Sequence, residues 1–205
     1  MIAHTDAVAA FTMRLPPDWL VLDVEGERIP VAVNRLLAQA EARDPAVAAH
    51  RGQLERRIRS VLRGAREQRV GFCAMLVAWV DGLPVTADLT VGVRDAAGDD
   101  AAVIAAQLRG RMRAEVSVLD GLEIGPVVRA KFRQRAGESS ARQPAEAAVW
   151  QYFIPEPDGR KVAVLTAASS VLALEDEFGD YFDAIVASFS FEPATRRFGG
   201  DHELD

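Results

Sequence analysis

The stretch from Ala145 to Phe191 constrains the fold more than any other part of the chain. Two β-rich apolar runs, Ala145–Ile154 and Arg160–Ser169, flank Pro155-Glu156-Pro157-Asp158-Gly159. A polar segment with that proline and glycine content favours a tight reversal, so the runs predict an antiparallel hairpin. Leu174–Phe189 follows, with Leu174, Phe178, Tyr181, Ile185 and Phe189 at helical spacing. Ser188-Phe189-Ser190-Phe191 leaves the helix as an extended end. A hairpin followed at once by an amphipathic helix predicts a sheet with that helix packed on one face.

The remainder extends the pattern. Residues 1–9 read as a flexible arm. Ala10–Leu15 alternates apolar and polar residues and predicts a strand, broken by Pro16-Pro17-Asp18. Trp19–Val24 is a second short strand. Val31–Arg43 predicts a helix, with Val33, Leu36, Leu37 and Ala40 on one stripe. Asp44 is a candidate N-cap, with Pro45 in the first turn of a second helix running to about Gln68. Its apolar face is Leu54, Ile58, Val61, Leu62 and Ala65. Val70–Val80 is nearly all apolar and reads as a strand covered on both faces. Asp81-Gly82 signals a hairpin to Leu83–Arg94. A helix over Ala101–Ala114, capped by Asp99 or Asp100, carries Val103, Ile104, Leu108 and Met112 as its stripe. Glu115–Phe132 is extended with a break at Asp120-Gly121. Ala136–Pro144 is a polar loop, and residues 192–205 read as an acidic flexible tail. Hairpins dominate and helices intervene, so the expectation is one α+β domain over residues 10–191. Its largely antiparallel sheet has about six to seven strands flanked by helices.

Composition narrows the function classes. The 205 residues are 49% hydrophobic and 26% charged with a net charge of -6, ordinary for a globular chain. The whole molecule has no electrostatic reason to seek nucleic acid. No signal peptide is apparent at the N-terminus, and Val70–Val80 is too short to span a bilayer. The expectation is a cytoplasmic protein without membrane insertion. Lysine occurs only at Lys131 and Lys161, a bias of high-GC bacterial genomes.

No catalytic or metal motif stands out. Cys73 is the single cysteine and sits in an apolar run, where it reads as a small buried hydrophobe. His4, His50 and His202 have no metal-ligand spacing. Ser139-Ser140 and Ser169-Ser170 have no histidine nearby in sequence and read as turn or strand-end residues. Glu175, Asp176, Glu177, Asp180 and Asp183 cluster on the last helix. The first three sit where a helix N-terminus carries partial positive charge, and Asp180 and Asp183 read as a solvated face. No catalytic residue, metal site or cofactor is assigned, and the chain reads as a non-enzyme.

The sharpest charge asymmetry lies in the second helix. Arg51, Arg56, Arg57, Arg59, Arg63, Arg66 and Arg69 face only Glu55 and Glu67 there. No aromatic residues are interleaved to stack on bases, and the apolar face is needed for the core. Arg56, Arg59, Arg63 and Arg66 are the candidate partner-binding residues; the face they form is either paired with acidic neighbours of the fold or free to dock an acidic protein, with nucleic acid or a lipid surface the remaining alternative. A second candidate is a small-ligand cleft between sheet and helix near Trp150 and Tyr152. A homodimer is compatible with either.

Three segments together carry a family resemblance. The opening strand runs into Leu15-Pro16-Pro17-Asp18-Trp19. A late hairpin joins Trp150-Gln151-Tyr152-Phe153 to Val162-Ala163-Val164-Leu165. The last helix reads Phe182-Asp183-Ala184-Ile185-Val186-Ala187-Ser188-Phe189. This resembles the Mog1/PsbP-like superfamily, whose opening reads roughly Leu-Pro-x-x-Trp and whose end reads roughly Phe-x-x-Ile-x-x-Ser-Phe. The helix before Val70 is longer than that pattern. The resemblance implies a mostly non-enzymatic family. Its members include a binder of a nuclear-transport GTPase, a photosystem II subunit, bacterial lipoproteins and chaperones of secreted effectors. The function expected is a protein-binding adaptor or secretion-associated chaperone, its partner an acidic protein or a secreted effector. The alternative is a small-ligand binding domain.

Overall fold

A computed structural model of the chain describes residues 11–24, 26, 28–80, 83–96, 98–135 and 146–192. The arm at 1–9, the Asp81-Gly82 turn, the loop at 136–144, most of the tail, His4, His202 and Ser139-Ser140 lie outside the described residues.

The late hairpin forms as its sequence requires. β7 (Glu146–Pro155) pairs antiparallel with β8 (Lys161–Ser169), Tyr152 facing Leu165 in register. Gly159 closes the turn at φ 71, a left-handed conformation that glycine adopts without steric cost. The apolar run before Asp81 gives β3 (Phe72–Val80), which pairs with β4 (Leu83–Asp95). β4 then pairs with β8 and joins the two hairpins. β5 (Glu115–Leu119) and β6 (Val127–Arg135) add to β7, and β2 (Trp19–Leu22) adds to β3. The result is a seven-stranded antiparallel sheet in the order β2-β3-β4-β8-β7-β6-β5. β1 (Phe11–Thr12) and β9 (Ser190–Phe191) form a separate two-stranded ribbon. The α+β class with a largely antiparallel sheet is as the sequence predicts.

Both faces of the sheet are covered. On one face lies α4 (Glu175–Ala187), and its Phe178, Phe182, Ile185 and Val186 share a core with Trp150, Tyr152, Leu165 and Leu89. Phe182 meets Trp150 at 5.2 Å between ring centroids. Trp19 stacks on Tyr181 and donates its indole N–H to the tyrosine oxygen at 2.8 Å, satisfying a polar atom that burial would otherwise orphan. Phe11 stacks on Phe189 at 5.2 Å and pins the ribbon to the same core. On the opposite face, α1 (Ile29–Arg43) and α2 (Arg51–Glu67) cover β2 and β3, while α3 (Ala101–Arg111) covers part of β6, β7 and β8. β3 shows why the Val70–Val80 run lacks polar alternation. Phe72, Ala74 and Leu76 face the α4 side, while Cys73 and Met75 face α1 and α2.

Some boundaries shift for local reasons. Asp44 is extended at φ -144, as a residue before proline prefers, and its carboxylate accepts from Ala46 N at 2.8 Å. It thus caps a 3₁₀ turn over Pro45–His50, and α2 begins only at Arg51. The first strand shrinks to Phe11–Thr12 because its partner offers just two residues, and beyond it Arg14 N bonds Ser188 Oγ at 2.9 Å. In α3, Asp100 is the N-cap, accepting from Val103 N at 2.9 Å. The inward face of that helix is Ala101, Ile104 and Ala105, whereas Val103 is 42% exposed. Of the expected stripe, Ile104 is buried and Leu108 packs against the same cluster, whereas Val103 turns to water and Ala101 and Ala105 share the inward face.

Candidate functional site

α2 presents its arginines in two ways. Its apolar residues Leu54, Ile58, Leu62 and Ala65 point into the core, which leaves the opposite face to water. Arg57, flanking the core, reaches Asp88 of β4; Arg51 pairs with Glu41 of α1. Arg59 donates to Glu55, one turn earlier, at 2.7 and 3.0 Å. Arg66 donates its Nε–H to the Val24 carbonyl at 2.7 Å. Arg56 and Arg63 are exposed and have no hydrogen bond or ion pair among the described residues. Of the four predicted partner-binding arginines, two are therefore wholly available, while Arg59 and Arg66 are partly engaged and half-buried.

The face beside them is the outer side of α1. The helices run antiparallel, since Arg51 at the start of α2 meets Glu41 near the end of α1, and Arg66 at the end of α2 reaches the segment before α1. Between positions 30 and 42 the exposed residues are Pro30, Val31, Asn34, Ala38, Gln39 and Ala42, none charged. Val31 is 52% exposed. The part-exposed Arg35 and Glu41 lie among them and Arg43, the last residue of α1, is exposed, so this face carries charge as well.

Trp150 and Tyr152 do not line an open cleft. They are 1% and 0% exposed, sealed between sheet and α4. The period-2 alternation of β7 turns both toward the face that α4 covers, so these aromatics form core. A different strip of the opposite face is half-exposed: Thr90, Thr166 and Gln151 lie in one cross-strand row. Gln151 Nε2 donates to Thr166 Oγ1 at 3.4 Å.

The acidic cluster also departs from expectation. Asp183 is not part of a solvated face. Its carboxylate accepts from Tyr152 Oη at 2.7 Å and from Arg129 Nη1 at 2.6 Å, and Arg129 Nε donates to Ser117 Oγ at 3.2 Å. Glu175 receives Arg133 at 2.7 Å and Lys131 at 3.2 Å; Lys131 also approaches Asp176 at 3.3 Å. β6 turns Arg129, Lys131 and Arg133 toward α4 at every second residue, a period-2 cationic row that the sequence did display. Although burial pushes the Glu175 carboxyl up, hydrogen bonds from Arg133 and Lys131 hold it below its ordinary value. Asp88 behaves oppositely: burial raises its carboxyl despite the pull of Arg57.

The other candidates are structural. Cys73 is buried, and desolvation, with the charge of Asp88, raises its thiol far above the usual range. Ser169 Oγ donates to the Thr86 carbonyl at 2.9 Å and accepts from Val171 N at 3.2 Å, a strand-end role. The His50 ring lies 5.1 Å from that of Trp79. Among the described residues no three His, Cys, Asp or Glu side chains converge on a metal-sized site, and no helix is long and apolar enough to cross a membrane. No family model matches the chain, and no curated protein matches it.

Proposed function

We propose that this chain is a non-enzymatic protein-binding adaptor or secretion-associated chaperone of a bacterial cytoplasm, of Mog1/PsbP-like type, which docks an acidic partner on α2. The observation that carries this reading is that Arg56 and Arg63 are exposed and have no ion pair among the described residues, in a chain of net charge -6. Long cationic side chains that fold stability does not use cost nothing to redirect toward a partner, and complementary charge steers its encounter. The antiparallel sheet and the terminal Trp19 and Phe189 contacts support the family resemblance. Affinity co-purification with mass spectrometry tests the reading. R56E/R63E is expected to lose the captured partner while its Tm stays within about 3 °C of wild type, since both residues are surface positions. Equal capture by the variant refutes it.

A further inference from the structure

The two edges of the large sheet differ in character. β2, at one end, follows Pro16-Pro17-Asp18, has Trp19, Leu20 and Leu22 buried and lies under α1. β5, at the other end, has none of the devices that keep an edge strand from pairing. Val116-Ser117-Val118-Leu119 contains no charge and no proline, and its pairing with β6 runs without a bulge. All four residues are part-exposed. Arg109 Nη2 donates to the Val116 carbonyl at 3.4 Å, a long bond from an exposed side chain. The two ends of β5 carry opposite charge. Arg109, Arg111 and Arg113 precede it, Asp120 and Glu123 follow it, and all five are exposed. Among the described residues the side chains of Arg111, Arg113, Asp120 and Glu123 have no ion pair or hydrogen bond. Glu115 is the one acidic residue between Arg109 and Leu119, and its cross-strand neighbour is Lys131.

We infer that β5 pairs antiparallel with the β5 of a second copy of this chain, joining the two sheets across a two-fold axis. A two-fold contact has to be self-complementary, because each patch meets its own copy. Antiparallel pairing meets that condition: it sets the arginine end of each strand against the carboxylate end of the other. Parallel pairing sets arginine on arginine. A foreign strand has to reproduce this charge order, whereas a second copy carries it by construction. With Ser117 on the axis, Val116 lies opposite Val118 of the partner subunit, an apolar cross-strand pair. Arg113 then lies near Asp120 of the partner subunit, and Arg111 near Glu123 of the partner subunit. Backbone groups that the open edge leaves to water gain partners. Four neutral residues a side make a small interface, so the dimer is a weak one and its charged ends matter. α2 lies over the far edge of the sheet, so the contact leaves Arg56 and Arg63 free and does not depend on the docking reading above.

Sedimentation equilibrium of the full chain from about 5 to 500 µM, at about 50 mM salt, tests this. The average mass is expected to rise from the monomer value toward the dimer value. R111E/R113E and D120R/E123R are each expected to weaken the dimer at least about tenfold, and the four substitutions together to restore it to within about threefold of wild type. Circular dichroism verifies that each variant is folded. S117C gives a reading independent of charge. Residues directly opposite in an antiparallel pair have Cα atoms about 4.5–5.5 Å apart, within disulfide reach, so glutathione disulfide is expected to link two S117C chains while buried Cys73 stays reduced. R56E/R63E is expected to dimerise as wild type does, so failure of the α2 docking reading and failure of the dimer are read separately. A monomer at every concentration, which leaves the edge to a foreign strand, overturns the inference. So does a series of higher oligomers, an association that both charge reversals leave unchanged, a folded fourfold variant that stays monomeric, or S117C chains that do not cross-link.

Discussion

Tyr152 and Asp183 illustrate how much one buried hydroxyl can organise. The tyrosine ring is sealed in the core, and burial, then the Asp183 hydrogen bond and charge, raise its hydroxyl well above the ordinary phenol value. It therefore stays a donor throughout the accessible pH range. Tyr152→Phe removes one hydrogen bond to a charged acceptor and is expected to cost about 1.5–3 kcal/mol. Asp183→Ala strands both the hydroxyl and the Arg129 guanidinium, and a larger loss is expected. Urea denaturation of both variants checks the order; an equal cost would show that Arg129 contributes nothing through Asp183. Cys73 gives a second residue-scale outcome. Its burial and raised thiol predict that iodoacetamide fails to label the native protein and labels it stoichiometrically in denaturant, read by mass spectrometry. Rapid native labelling would contradict the packing described for β3.

At the scale of elements, α3 and α4 attach to the sheet by different physics. α3 uses small apolar contacts, so Ile104→Ala is expected to cost about 2–4 kcal/mol, whereas Val103→Gln stays within about 0.5 kcal/mol. Reversed magnitudes in thermal melts would rotate the helix. α4 adds ion pairs to its aromatic core, and these carry a pH signature. The Glu175 carboxyl is held below its ordinary 4.5, so its contribution is present above that value and is lost as pH falls through the lower folded one. Asp88 has the opposite sign: its raised carboxyl favours the fold below 3.8, and that gain is lost as pH rises through the folded value. Glu175→Gln should therefore flatten the loss of stability on acidification below about pH 4.5, and Asp88→Asn should not. Urea midpoints across that range decide it. The same elements mark where sequence reading stopped. Periodicity located α1 to α4 and put Phe178 and Ile185 on the buried side of α4, but its stripe ran through the part-exposed Tyr181 and missed Phe182 and Val186, which are fully buried. It set Val103 beside Ile104 on the α3 stripe, although neighbours in a helix point about 100° apart and the face shared by Ala101, Ile104, Ala105 and Leu108 leaves Val103 outside it.

Over the whole molecule, the seven-stranded sheet divides the chain into an aromatic layer under α4 and a helical layer formed by α1, α2 and α3. The sequence by itself determined the α+β class, the antiparallel pairing and the apolar stripes of most helices, since each follows from local periodicity and turn chemistry. It also exposed the arginine excess of residues 51–69, because charge is counted without coordinates. Only the tertiary structure decided which charges remain available. Arg57 and Asp88 are 31 positions apart, and Arg129 and Asp183 are 54 apart. No local pattern could pair them, because strand order and helix placement bring them together. The same long-range placement buried Trp150 and Tyr152 and left Arg56 and Arg63 exposed. Which residues are left for a partner is the remainder after every internal pairing has been made, and that remainder exists only once the chain has folded.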